Sequence, residues 1–254
     1  MTTPPQPRLI FVTGTDTGVG KTLLTSLLLC HLRAAGRPAL ALKPFCSGSR
    51  RDAELLGALQ DGELTLDDIN PFFFAEPVAP LVAVRKHRRS IRLSDVLHRI
   101  EAVASSQSAL LKSKIQNPKS KMQPPVLLIE GSGGLLVPLA EDFAVSDLIT
   151  SLPCEVFVVA RNRLGTINHT LLTVKALNAV DRKSAQRFAG PVKVVMMEPR
   201  VRDVSSTTNL RVLSELLAPV PVFTLDYLGA NCRTPTAIRK ASRQLKRVLN
   251  RILG

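Results

Sequence analysis

A chain of 254 residues with 45% hydrophobic content is long enough to bury a sizeable α/β core and too apolar for a disordered protein. A formal charge of +14 allows a strongly basic surface, but one tyrosine and no tryptophan leave few stacking platforms for single-stranded nucleic acid. The four cysteines, Cys30, Cys46, Cys154 and Cys232, lie far apart without a C-x-x-C pair, which argues against a zinc knot or disulfide framework and for reduced thiols in the cytoplasm.

The proline-rich start, with Pro4, Pro5 and Pro7, lacks the apolar run of a signal peptide or membrane span. The first predicted strand is Leu9 to Val12, and a helical apolar pattern starts near Lys21. Between them runs Thr13-Gly14-Thr15-Asp16-Thr17-Gly18-Val19-Gly20-Lys21-Thr22. Strand, glycine-rich turn and helix in that order build a phosphate cradle. Backbone N–H groups from Gly18 to Leu23 face the anion, Lys21 reaches the β- and γ-phosphates, and the Thr22 hydroxyl ligates Mg²⁺. One departure from the usual spacing is Thr15, which stands where a glycine is expected, with Gly14 one place earlier.

The second predicted strand, Ala39 to Leu42, ends in Lys43-Pro44-Phe45-Cys46-Ser47-Gly48, with Asp52 at the start of a helix from Arg51. A helix from Ser94 leads into the polar, basic, proline-terminated run 112–125, which reads as a mobile loop. Strand Val126 to Ile129 ends in Glu130-Gly131-Ser132-Gly133-Gly134. Further strands are predicted at Glu155 to Ala160, Val192 to Met196 and Val220 to Leu225, with helices from Val145, Thr166 and Val204. Thr234 and Pro235 supply an N-cap and first position for a terminal helix. Its apolar stripe, Ile238, Ala241, Leu245, Val248, Leu249 and Ile252, faces away from six lysines and arginines between Arg239 and Arg251. The pattern predicts one α/β domain over residues 1–254: a doubly wound, mostly parallel sheet with helices on both faces, of the P-loop NTPase type.

In such sheets ligands lie outside the carboxyl ends of the strands. Taken singly, a lysine at a strand end is a surface charge and a glutamate before glycines is a turn. Together, Lys21, Lys43, Thr22, Asp52 and Glu130 put two ammonium groups, a hydroxyl and two carboxylates at one sheet edge, which suits Mg-nucleotide chemistry.

At this point the sequence resembles the dethiobiotin synthetase family, from residue 8 to about residue 180. The residues that carry the resemblance are the phosphate loop, Lys43-Pro44 with Ser47-Gly48, Asn70-Pro71, Ala75-Glu76-Pro77 with Ala79-Pro80, Glu130-Gly131 with Gly133-Gly134, and Leu164-Gly165 with Ile167-Asn168-His169. The resemblance implies an ATP- and Mg²⁺-dependent cyclo-ligase. It takes 7,8-diaminopelargonate and CO₂ or bicarbonate through a carbamate and a carbamic-phosphoric anhydride to dethiobiotin, in biotin biosynthesis. Lys43 is then the catalytic lysine, aided by Lys21, and Thr22, Asp52 and Glu130 serve the metal. Gly131, Ser132 and Gly133 help hold the nucleotide, while Thr17 and Ser47 face the substrate. The helix start Gly165, Thr166, Ile167 and Asn168 takes the substrate carboxylate across a homodimer interface, packed through Ile167, Leu171, Leu172 and Val174. His169 receives no catalytic role.

Two departures bear on the base. The family ends one strand with an adenine-reading asparagine where this chain has Met196-Met197-Glu198-Pro199, and Asp226 stands where a proline is expected. The rival reading is a partition- or scaffold-type ATPase that binds nucleic acid through its basic clusters at Arg85 to Arg92, Lys112 to Lys121, Arg161 to Arg163, Arg182 to Arg187 and Arg233 to Arg251. Such proteins carry a second lysine early in the phosphate loop, where this chain has Gly14, Thr15 and Asp16. The clusters therefore read as solvated surface, without a nucleic acid or membrane partner.

Overall fold

Along the first strand, β1 (Arg8–Gly14), successive side chains enter opposite cores: Leu9 and Phe11 join one apolar cluster, Ile10 and Val12 the other. That alternation, with both faces covered, is what a central parallel strand requires. The computed structural model describes residues 7–114, 123–179 and 188–254. In it, β1 is flanked by β5 (Val126–Glu130) and β6 (Cys154–Arg161) in a six-stranded, all-parallel sheet. Beyond β5 lies β2 (Ala39–Leu42), and beyond β6 lie β7 (Val192–Met197) and β8 (Val222–Leu225).

The chain first steps from β1 past the place of β5 to β2, then returns and advances steadily to β8. Right-handed crossovers demand that the connecting helix change face when the direction reverses. Accordingly α1 (Lys21–Ala34) puts Leu24, Leu27 and Leu28 into the cluster of Ile10 and Val12. The later helices α5 (Leu93–Lys114), α6 (Val145–Thr150), α7 (Thr166–Asn178) and α8 (Val204–Leu217) put Ile100, Leu148, Val174 and Leu213 into the other. The crossover from β1 runs one way, to β2, and that from neighbouring β5 runs the other way, to β6, so the crevice outside the carboxyl ends of β1 and β5 is the expected ligand site.

Four elements between β2 and β5 were not predicted from the sequence alone: the strands β3 (Phe45–Ser47) and β4 (Phe72–Phe74), which form a two-stranded parallel sheet, and the helices α3 (Leu66–Ile69) and α4 (Pro80–Lys86). They accompany α2 (Arg51–Leu59), which starts where expected. Gln60, at the C-cap of α2, covers the open edge of β2 by accepting from Ala41 N at 2.8 Å and donating to Ala41 O at 3.1 Å.

The structure corrects the predicted loop 112–125 at its start, because α5 continues through Lys114. Residues 115–122 of that loop, like the basic run at 182–187, lie outside the described residues. The terminal helix is in fact two, α9 (Pro235–Gln244) and α10 (Lys246–Leu253), meeting at Leu245. Its apolar stripe is buried in the α1 cluster, with Ile238, Leu249 and Ile252 fully enclosed. No described helix is long and apolar enough to cross a membrane.

Candidate active site

The phosphate loop is shaped from both sides. Thr15 N donates to Val159 O at 2.9 Å, fixing the loop's entry to β6. A Cβ on Gly14 would fall 2.7 Å from Val19 Cγ2, so the glycine one place early is a packing requirement of this loop. Gly18 and Gly20 hold φ of +70° and +108°, a region open to glycine at little cost. Arg161, at the end of β6, donates from Nε at 3.1 Å and Nη2 at 2.6 Å to Gly18 O. In a planar trans peptide the C=O and the next N–H point opposite ways. Pinning Gly18 O toward Arg161 therefore turns Val19 N–H away from Arg161.

Lys21 is buried and donates to Asp16 O at 2.9 Å. Burial, with Lys43 nearby adding to it, lowers its pKa to about 8.

At the ends of β2 and β5 the predicted cluster assembles. Lys43 Nζ stands 2.5 Å from Glu130 Oε1 and 3.5 Å from Asp52 Oδ2, and Thr22 Oγ1 donates to the same Glu130 oxygen at 2.7 Å. Burial opposes the charge on Lys43, yet Glu130 and Asp52 outweigh it and hold the pKa above its ordinary value. The other glutamate oxygen, Glu130 Oε2, is buried without a hydrogen-bond partner. An orphaned carboxylate oxygen beside a hydroxyl and a second carboxylate is a hard, all-oxygen donor set, which fits Mg²⁺ completed by waters and phosphate oxygens. Among the described residues no group of three His, Cys, Asp or Glu forms a protein-only metal cage.

Ser47 Oγ, at the end of β3, is likewise buried and unpartnered. Thr17 is exposed on the loop, its N–H donating to Asp16 Oδ1 at 2.6 Å. The turn after β5 packs closely on the loop and on itself. A Cβ at Gly134 would meet Gly14 O and Thr15 O at 3.6 Å, and one at Gly133 would strike Val137 Cγ2 at 2.6 Å.

Gly165 to Asn168 stand at the carboxyl end of β6 as predicted, but their backbone bonds stay local, Thr166 N to Arg163 O and His169 N to Gly165 O. Val174, expected at an interface, is buried in the core, and Ile167 and Leu171 pack against it. Leu164 and Leu172 remain exposed, at 83% and 58%.

At the far end of the edge, Met197 lies against the phosphate loop: a Cβ on Gly20 would come 3.0 Å from Met197 Cγ. Next to it Glu198 is buried, accepting from Asn162 Nδ2 at 2.9 Å and paired with Arg202 at 3.2 Å. Arg202 also reaches Asp226, at 3.3 Å. Asn209 Nδ2 donates to Asn162 Oδ1 at 2.9 Å and closes this network.

Sequence reasoning assigned no role to Arg161, Asn70 or Arg50. Asn70 stood in the motif Asn70-Pro71, but its bonds run to a strand end 26 and 27 residues away.

A family model described as an AAA domain matches residues 8–222. Among curated proteins, the ATP-dependent dethiobiotin synthetase BioD of Anaeromyxobacter sp. (strain Fw109-5) is 42% identical over 176 residues, covering 68% of this chain and 71% of that protein. The BioD of Bacillus licheniformis is 38% identical over 224 residues, covering 78% and 88%. Solved structures share the fold at low identity. The MinC:MinD cell division protein complex of Aquifex aeolicus gives a TM-score of 0.55 at 14% identity, covering 97% of this chain and 96% of that one. A complex of a Cyanothece McdA variant with ATP gives 0.51 at 13% identity, covering 97% and 95%.

Proposed function

This chain belongs to the ATP-dependent dethiobiotin synthetase family, ligases of biotin biosynthesis, and on that premise we propose how its own residues close the ureido ring of 7,8-diaminopelargonate. One amine of the diamine adds to CO₂ to give a carbamate. A carbamate oxygen attacks the γ-phosphorus of ATP, the bond to the β-phosphate oxygen breaks, and ADP leaves. The second amine then attacks the carbonyl of the carbamic-phosphoric anhydride, and phosphate departs with the ring closed.

Each step develops negative charge that needs a prepaid partner, and phosphoryl transfer is mostly positioning and electrostatics. The observation that carries the assignment is Lys43 Nζ, buried and fixed between Glu130 and Asp52 at the switch point of the sheet. Lys43 faces the carbamate and γ-phosphate. Lys21, released from Asp16 O, follows the β- and γ-phosphates, while the loop amides from Gly18 to Leu23 hold the rest of the chain of phosphates. Thr22, Asp52 and Glu130 are the residues that would hold Mg²⁺, which when bound neutralises phosphate charge. Thr17 and the unpartnered Ser47 Oγ face the diamine, and Gly131, Ser132 and Gly133 help hold the nucleotide.

The N–H groups of Gly165, Ile167 and Asn168 open α7 and take the substrate carboxylate of a second subunit's site, with Thr166 N released from Arg163 O to join them. The exposed Leu164 and Leu172 flank that contact in a homodimer. The chain acts as one domain in the cytoplasm. The partition-type reading is not favoured: the likeness to MinD and McdA structures, at 13–14% identity, is one of fold alone.

The test is phosphate release from ATP with Mg²⁺, with and without diaminopelargonate and bicarbonate, and with the product identified by mass. Turnover that needs both, and falls about 10²–10³-fold in Lys43→Ala, is expected. ATP turnover indifferent to the diamine, or near-normal ring closure by Lys43→Ala, would discard the assignment.

A further inference from the structure

Lys43 stands where β2 has ended at Leu42, and the next residue, Pro44, has no N–H with which to continue a ladder. Its backbone is held instead from the inserted segment. Lys43 N donates to Ile69 O at 2.9 Å, and the side chain of the next residue, Asn70, donates from Nδ2 to Lys43 O at 2.8 Å and to Pro44 O at 3.2 Å. Asn70 is 1% exposed. Its Oδ1 accepts from Arg50 Nε at 3.1 Å, and Arg50 Nη2 also donates to Asn70 O at 2.8 Å. An arginine N–H can only donate, so it fixes which end of the amide is oxygen and aims Nδ2 at the two carbonyls.

Arg50 immediately precedes α2, the helix that carries Asp52. One bridge thus ties both the lysine and one of its carboxylate partners to the residues just before β4.

We infer that Asn70, oriented by Arg50, is a positioning residue that holds the end of β2 so that Lys43 Nζ sits between Glu130 and Asp52. The inference rests on the reading of Lys43 as the group facing the reacting carbamate and γ-phosphate. Asn70 itself touches no position assigned to substrate. The phosphate loop hangs from β1 and β6 and is braced by Arg161, so it does not depend on this bridge. A loosened β2 end therefore slows chemistry and leaves ATP binding intact.

The experiment compares wild type with Asn70→Asp, Arg50→Met and Lys43→Ala in steady-state turnover, with melting temperature measured for each. Asn70→Asp keeps the volume and the acceptor for Arg50 but loses both donors. We expect its kcat to fall about tenfold to a hundredfold, as misplacement by about an ångström does, with KM for ATP within about threefold of wild type. Arg50→Met frees the amide to turn and gives a smaller fall in kcat, about threefold, again without a change in KM for ATP. An inactive Lys43→Ala beside a folded Asn70→Asp of full kcat would overturn the positioning role alone. A fall in kcat matched by the loss of folded protein, or by an equal rise in KM for ATP, would overturn it too. An active Lys43→Ala would remove the reading on which it rests.

Discussion

The two ends of the sheet's carboxyl edge are built on opposite principles. Around β1, β2 and β5, buried polar atoms are left without partners, Glu130 Oε2 and Ser47 Oγ among them, and two lysines are held close together against their mutual repulsion. Around β7 and β8 the polar groups mostly engage one another: Glu198 Oε1 accepts from Asn162, Glu198 Oε2, though without a hydrogen bond, is ion-paired with Arg202, and Arg202 pairs with Asp226. A region whose buried polar groups lack partners is poised for a ligand, because leaving such groups unmade is costly. A region whose charges are already paired with one another gains less from one. We therefore expect recognition to rest on the phosphates and the reacting centre more than on the base.

Arg161 lies between the two regions, and removing it is the harshest test of the phosphate end short of touching the lysines. Arg161→Ala frees Gly18 O, so the Gly18–Val19 peptide of the phosphate loop is no longer pinned. The expected result is an affinity for ATP about tenfold weaker, the equivalent of one ordinary hydrogen bond at about 1.4 kcal/mol. Titration calorimetry with Arg161→Ala and Arg161→Lys checks it, the lysine restoring part of the loss. Unchanged affinity in both would mean that the loop holds its shape alone.

A smaller effect comes from the crowding of the lysines. Burial first, and Lys43 second, lower Lys21 to about 8. Only its charged form pairs with a triphosphate, so the contribution is nearly complete at neutrality and below and is lost as pH rises through about 8. By linkage, ATP binds about fourfold more weakly at about pH 8.5 than at neutrality. The pH dependence of the ATP dissociation constant, for wild type and for Lys21→Arg, tests the origin of the effect, since an arginine does not titrate there. A wild-type affinity flat to about pH 9 would show that Lys21 is not held down by its neighbours.

How much of this the sequence revealed follows the range of the interactions. The six main strands were legible because each is a short apolar run bounded by turn residues, and the phosphate loop because its parts are consecutive. Lys43, Asp52 and Glu130 could be brought together only by knowing that parallel strands present their carboxyl ends to one edge. The strands β3 and β4, at three residues each, are too short to show a period, and Phe72, Phe73 and Phe74 fit a buried helix turn as well as a strand. Asn70 and Arg161 carry no local signal of their roles, because each acts on a backbone carbonyl far away in sequence. The break at Leu245 was missed because the apolar stripe runs unbroken through it.

The smallest expected effect is the one that separates the two regions most cleanly. An adenine edge both donates and accepts, and a dry site that reads it with an amide rejects other bases strongly, because a mismatch strands a buried polar group. Met197 offers a soft, polarisable side chain with no strong donor or acceptor, and it is packed against Gly20 beneath the loop. The nearest carboxylates, Glu198 and Asp226, are engaged by Asn162 and Arg202. Binding energy then comes from the triphosphate, which every nucleotide shares. GTP and CTP should support ring closure with kcat/KM within about tenfold of ATP, a gap below about 1.4 kcal/mol, measured at fixed Mg²⁺ and diamine. A preference for ATP of a thousandfold or more would mean that the network at β7 and β8 opens to read the base, and the contrast drawn between the two ends would fail at that point. Arg202→Ala would then locate the reader: it releases Glu198 and Asp226 together, and a selectivity that changes with it belongs to those carboxylates.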